Sequence, residues 1–185
     1  MKKIVGFIGS PRENANTSCI IEEIARGARE LGAEVKIYRL NSMSVRPCQS
    51  CFHCRQSETC AIEDDMQGVY ADLKDAQALI IGSPIYMGQV TAQTKLLLDR
   101  LFPIIGPDFK PRFGVKKVAL VYSQGNPQAD AFKSYFDYLA GGLKMLGLEA
   151  VATIVCAGAN DPQTALNDQQ LMTRAFNVGR ALAAE

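Results

Sequence analysis

Short, nearly continuous apolar runs rich in valine and isoleucine recur along the chain, at residues 3–8, 34–40, 78–82, 117–122 and 150–155. Each has the length of a strand and little polar alternation, the pattern of strands buried on both faces. Between them, helical patterns cover residues 16–31, 65–74, 91–102, 129–146 and 162–184. Strand and helix alternate throughout, which predicts an α/β fold: a doubly wound, mostly parallel sheet with helices on both faces. Gly32 and Gly147 follow helices as left-handed caps, and Asp161 before Pro162 reads as an N-cap followed by proline at the first helical position. Residues 103–114, with three prolines and two glycines, read as a long surface connection. The third helix carries Leu96, Leu97, Leu98, Leu101 and Phe102 almost around its circumference. It is either wedged between sheet and loop or part of a subunit interface, and the interface is preferred because a surface helix needs only one apolar stripe.

Composition narrows the class. At 185 residues the chain suits a single domain, 1–185, large enough to bury most of its apolar surface without a metal or disulfide staple. A net charge of +1 without basic or acidic blocks gives no reason to expect nucleic acid or an anionic membrane as partner. The opening MKKIVGFIGS has too short an apolar stretch for a signal peptide and reads as the first strand. With no run near the ~20 apolar residues of a membrane span, a soluble, cytoplasmic protein with reduced thiols is expected.

Against that background four of the six cysteines stand out. Cys48, Cys51, Cys54 and Cys60 fall within thirteen residues, on a loop at about 46–62. The spacing C-x2-C-x2-C-x5-C lets one curled loop wrap a compact centre, as in iron–sulfur ligation. Structural zinc takes four thiolates on two separated knuckles, and no second knuckle follows; a loop of free or disulfide-forming thiols is the remaining alternative. Cys19 and Cys156 stand apart and read as small buried hydrophobes. His53, the one histidine, reads as a surface residue, and Asp64 and Asp65 as caps of the second helix.

In an open parallel sheet, ligands bind outside the carboxyl ends of the strands. After the first strand, helix N–H groups with Ser10, Arg12, Asn16, Thr17 and Ser18 make an anion site suited to one phosphate, or else an ordinary capped loop. It is neither a dinucleotide fingerprint nor a Walker loop. After the third strand, Pro84, Ile85, Tyr86, Met87 and Gly88 offer glycine-permitted backbone approach and an aromatic face, as a flavin ring requires, or else a rigid turn. Ser123, Gln124 and Gly125 after the fourth add polar groups for the ring's pyrimidine side, or only turn the chain. No general acid or base stands out, so no catalytic side chain is assigned. The cysteine loop, between strand two and helix two, is expected at the same carboxyl end.

The segments GSPRENANTS, the cysteine run through Asp64, Asp65 and Met66, and GSPIYMGQVTAQTKLLLDR together resemble the iron–sulfur flavoproteins of the flavodoxin-like NAD(P)H-dependent FMN reductase superfamily. The match is close over residues 4–100 and holds beyond them only by pattern. The resemblance implies a flavodoxin-like three-layer sandwich of five parallel strands in the order 2-1-3-4-5, non-covalent FMN on the residues named above, and a [4Fe-4S] cluster on Cys48, Cys51, Cys54 and Cys60. It implies a homodimer or homotetramer in which cluster and flavin of neighbouring subunits approach. The function expected is electron transfer between ferredoxin or NAD(P)H and a small-molecule acceptor; the alternatives are an NAD(P)H-dependent FMN or quinone reductase without the cluster, and a flavin-binding redox sensor. One departure is Ala15, where the family has glycine: a positive φ there would weaken FMN binding by about 1 kcal/mol.

Overall fold

The computed structural model describes residues 2–184. Five parallel strands, β1 (Lys3–Ile8), β2 (Glu34–Arg39), β3 (Ala78–Tyr86), β5 (Lys116–Ser123) and β6 (Leu148–Cys156), run in the order β2-β1-β3-β5-β6. Counting only these five, the order is the expected 2-1-3-4-5. A short strand the sequence pattern did not indicate, β4 (Gln89–Val90), folds back antiparallel on the end of β3.

Alternate residues of each strand face opposite helical layers. Val5, Phe7, Leu79, Ile81, Val118 and Leu120 form one core beneath α2 (Met66–Asp75), α3 (Ala92–Asp99) and α4 (Lys133–Met145). Ile4, Ile8, Ile80, Ala119 and Val121 form the other, beneath α1 (Asn16–Glu30), α5 (Thr164–Asn167) and α6 (Gln169–Ala183). Helices α1 and α6 touch backbone to backbone: a Cβ on Gly27 would lie 2.0 Å from the Phe176 carbonyl oxygen, and one on Gly179 1.8 Å from that of Ile24.

Several local expectations are corrected. The last helix is two: Asp168 interrupts it and caps α6, its carboxylate accepting from the N–H groups of Gln170 and Leu171. Asp161 and Pro162 lie in the turn before α5 and not at its cap. Residues 103–114 are not a surface strap, because Pro103, Ile104 and Ile105 are buried and an Ile105–Pro111 bridge closes a small hairpin. Cys19 is only half-buried, whereas Cys156 is buried. The expected third helix ends at Asp99, so Leu101 and Phe102 follow it; Leu97 and Leu101 enter the core while Leu96, Leu98 and Phe102 are partly exposed.

An ion-pair group fastens β2, the exposed edge, to α2. Lys3 and Lys36 each place Nζ 2.6 Å from the Asp72 carboxylate, and the Tyr38 hydroxyl donates to it. Burial alone would raise the Asp72 carboxyl; Lys3, Lys36 and Tyr38 outweigh it and hold the group down at about 2. A carboxylate depressed on folding stabilises the fold above its unfolded value of ~3.9 and loses that contribution as pH falls towards the folded value. Asp72→Asn is expected to lower stability near pH 7 by about 1–2 kcal/mol, after allowance for partial exposure of the lysines, and to flatten the acid dependence between about pH 4 and pH 2. Urea midpoints measured across that window check it.

Candidate functional site

At the carboxyl ends of the strands, a buried hydroxyl network locks three loops together. Thr91 caps α3 by accepting from the Thr94 N–H, donates to the Gly9 carbonyl (2.8 Å) and gives its own N–H to the Ser83 hydroxyl (2.9 Å). The loop after β1 is thereby fixed against that after β3. Nearby, the Thr17 and Ser123 hydroxyls lie 2.7 Å apart and join the α1 start to the end of β5.

These loops enclose a polar cavity of ≈ 200 Å³, whose walls include Ser10, Arg12, Asn16, Thr17, Pro84, Ile85, Tyr86, Ser123, Gln124 and Gly125. The first intrahelical bond of α1 runs from the Cys19 N–H to the Ala15 carbonyl. The N–H groups of Asn16, Thr17 and Ser18 therefore have no carbonyl partner within the helix. With the helix dipole behind them and Arg12 at the rim, those of the wall residues Asn16 and Thr17 make an anion seat.

Ser18, Met87 and Gly88 lie outside the cavity wall. The Ser18 hydroxyl is spent on the Ala15 N–H and carbonyl. Met87 and Gly88, at φ 50° and 79°, form the tip of a type I′ hairpin turn between β3 and β4, and Met87 is fully exposed. Asn16 stands on the wall, but its carboxamide donates to the Asp161 carbonyl (2.8 Å) and accepts from the Ala165 N–H (2.8 Å). Its side chain thus orders a neighbouring loop and does not serve as the phosphate donor expected. Ala15 is extended (φ −108°) and Asn14 takes the left-handed conformation (φ 51°), so alanine here carries no strain.

Sequence reasoning missed the fourth wall: Ala159, Asn160 and Pro162, from the loop after β6. The turn-forming run Gly158 to Pro162 at that strand end was the available signal. A Cβ on Gly125 would lie 2.7 Å from the Asn160 Oδ1. Gly125→Ala is therefore expected to displace the Asn160 carboxamide, leave stability within about 0.5 kcal/mol, and weaken FMN binding about tenfold. Flavin fluorescence titration alongside thermal melts checks both halves.

The polar walls, the anion seat and Gln124 Oε1, buried without a partner among the described residues, match the phosphate, ribityl and ring-edge chemistry of FMN. The cavity is smaller than common ligand pockets of ~300–1,000 Å³. Tyr86, 44% exposed, and Met87 continue the surface on which a ring would extend.

The four cysteines line a second cavity, of ≈ 350 Å³, walled also by Ile62, Leu98, Phe102 and Leu146. Ser50 and Phe52 take left-handed conformations (φ 52° and 58°) and curl the loop. N–H groups of Ser50 and Ile62 point at the sulfurs of Cys48 (3.4 Å) and Cys60 (3.5 Å). Burial, then the neighbouring Cys60, Cys48 and Cys51, push the Cys54 thiol up. Among the described residues no three Cys, His, Asp or Glu side chains are gathered tightly enough to hold a single metal ion. His53 is exposed and lies off the cavity wall.

The cavity's position corrects the sequence expectation. Leu98 and Leu146 stand at the C-terminal ends of α3 and α4, and Glu58 on the cysteine loop pairs with Lys74 near the end of α2. Those helix ends lead into strand starts, so the cysteines sit towards the amino end of the sheet. At ~3.3 Å per residue, β5 alone separates the two ends by roughly 25 Å.

The loop's neck is closed by Arg100, only 1% exposed. Its guanidinium donates to both Asp64 carboxylate oxygens (2.6 and 3.1 Å) and to the Arg46 carbonyl (2.6 Å). Burial alone would raise the Asp64 carboxyl, but Arg100 and the N–H groups of Arg46 and Met66 hold it below the usual carboxylate range. Asp64 does accept from the Met66 N–H at the start of α2. Asp65 stands at the N-cap position of α2 as expected, but its carboxylate accepts from the Ser44 N–H (2.6 Å) and makes no capping bond to the helix.

No helix among the described residues is long and apolar enough to cross a membrane. An iron–sulfur flavoprotein of Methanocaldococcus jannaschii is 30% identical over 161 residues, covering 86% of this chain and 78% of that protein. One of Methanosarcina thermophila is 39% identical over 98 residues, covering 53% of this chain and about half, 51%, of its own length. In fold, an NAD(P)H:quinone oxidoreductase from Methanothermobacter marburgensis superposes with a TM-score of 0.71 at 16% identity, covering 98% of each chain. The family model for NADPH-dependent FMN reductases matches residues 2–159, a span that holds the anion seat and every wall of its cavity but Asn160 and Pro162; the chain belongs to that family and is a flavin-dependent oxidoreductase.

Proposed function

We propose that this protein is an electron-transfer iron–sulfur flavoprotein, holding FMN at the carboxyl-end cavity and a [4Fe-4S] cluster on Cys48, Cys51, Cys54 and Cys60. One observation carries the reading: all four thiols line one cavity, with backbone N–H groups aimed at two of the sulfurs. A single zinc ion needs four sulfurs about 2.3 Å from one point, whereas an open ring of thiols suits a multi-iron centre held at its corners.

FMN would supply two-electron chemistry and the cluster one-electron chemistry. The chain's own part is positional. The α1 N–H groups and Thr17 would seat the phosphate, and the loops after β3 and β5 would border the ring. The Ser50 and Ile62 N–H groups would stabilise negative charge on the sulfurs. Because the two cavities lie at opposite ends of one sheet, exchange between them requires a second copy of the chain, and the reading includes a homodimer or homotetramer. The exposed Tyr86–Met87 hairpin and the half-exposed leucines of α3 are the surfaces for such contact.

Anaerobically purified protein is expected to contain FMN, iron and acid-labile sulfide, and to be reduced by NADH, NADPH or reduced ferredoxin before passing electrons to a small acceptor. FMN without iron or sulfide, together with NAD(P)H oxidation, would replace this reading with a cluster-free FMN or quinone reductase. FMN without turnover of any donor would make it a redox-sensing module.

A further inference from the structure

Two arginines cross between the cysteine loop and the 103–114 hairpin in opposite directions. Arg112, on the hairpin, donates through Nη2 to the carbonyls of Cys54 (2.8 Å) and Ser57 (3.2 Å), and through Nε to that of Pro103 (3.1 Å). Arg55, on the cysteine loop, donates to the Pro107 carbonyl (2.7 Å). Its guanidinium lies over the rings of Phe109 (4.2 Å) and Phe102 (5.2 Å), and Phe102 is a wall of the cysteine cavity. Arg55 Nη1 is buried with no partner among the described residues, leaving a cationic donor unspent one residue from Cys54.

The clasp is separate from the neck that Arg100 closes. Arg100 fixes residues 46 and 64, where the loop leaves the fold; Arg112 and Arg55 fix its far lobe. Charge-assisted hydrogen bonds from a planar, permanently charged fork are directional, so they set a peptide's position as well as its energy. The Cys54 carbonyl is held by such a bond while its thiol faces the cavity shared with Cys60.

We infer that Arg112, with Arg55 as its counterpart, is a positioning residue for Cys54 that sets the third thiol's place in the loop and puts fixed positive charge beside whatever the cysteines hold. Where that is the cluster proposed above, on which this part rests, the added electron of the reduced state is stabilised by the nearby charge, and the reduction potential is raised.

The test uses the full-length protein with Arg112→Gln, Arg112→Lys and Arg55→Gln. In iron-free protein, iodoacetamide labelling mapped by peptide mass is expected to modify Cys54 about tenfold faster in R112Q than in wild type, as fits loss of one charge-assisted hydrogen bond. Cys156 labelling should not change. In iron-loaded protein, R112Q is expected to lower the cluster potential, while R112K, which keeps the charge and loses the fork, stays near wild type in potential and resembles R112Q in Cys54 labelling. R55Q repeats the direction of R112Q should R112Q fail to fold. Wild-type Cys54 labelling in both neutral variants, or an unchanged potential in iron-loaded R112Q, overturns the inference. Labelling needs no iron, so a wild-type protein without iron and sulfide refutes the cluster reading while the clasp is still decided.

Discussion

Replacing Arg100 by methionine is expected to cost about 3–5 kcal/mol, the cost of breaking a buried ion pair by removing one partner. The Asp64 side chain is only 4% exposed, and without the guanidinium it retains just the Arg46 and Met66 N–H groups. Burial, which already pushes its carboxyl up, is then opposed more weakly, so Asp64 should bind a proton at higher pH than in the parent protein. In the parent, the depressed Asp64 stabilises the fold above the unfolded carboxylate value and loses that contribution as pH falls; in R100M that contribution is weakened, so acidification removes less stability than it does in the parent. The deficit should therefore be largest near neutral pH and shrink as pH falls. Adding Asp64→Asn should recover part of the loss, whereas D64N alone strands a guanidinium that cannot deprotonate. Urea denaturation at several pH values, run as a double-mutant cycle, measures each step; a deficit that does not change with pH would rule out the unpaired Asp64 as its source.

Arg100 also shows what the sequence did not disclose. Its place at the end of LLLDR reads as an ordinary basic residue closing a helix, and Asp64 as a cap. Their pairing joins positions 36 residues apart and follows from how α3 lies against the cysteine loop, which no local pattern encodes. The strands and the parallel, doubly wound class were legible because continuous apolar runs and alternating helices leave few arrangements; the strand order came from the family resemblance. The loops after β1, β3 and β5 were legible because cavities gather at strand ends. Asn16 was recognised as a wall residue but misread in role: a free amide and one spent on Asp161 and Ala165 look alike in sequence. The cysteine loop's end of the sheet was misplaced for a related reason. It leaves β2 at the carboxyl end, yet a chain of this length can run the height of α3 before it curls.

Because the two cavities share no wall residue, the proposed cluster and the flavin should be separable by mutation. Cys51→Ala is expected to abolish acid-labile sulfide and the associated iron while FMN stays bound at wild-type stoichiometry. Cys51 is exposed and supports no packing, so the change should alter stability by no more than about 0.5 kcal/mol. The neck holds without it, since Arg100 and Asp64 close the loop from the protein side and leave residues 46–64 anchored whether or not a metal centre is present. The thiol's contribution is ligation: a cluster bound at its corners loses one quarter of its protein ligands with a single substitution. Gly125→Ala is the complementary change, expected to weaken FMN binding and leave iron and sulfide at wild-type levels. Iron, sulfide and flavin assays on both variants give six readings, and each variant is expected to lose only its own group. Loss of FMN together with sulfide in C51A would mean that the cysteine loop supports the flavin cavity, contrary to their placement at opposite ends of the sheet.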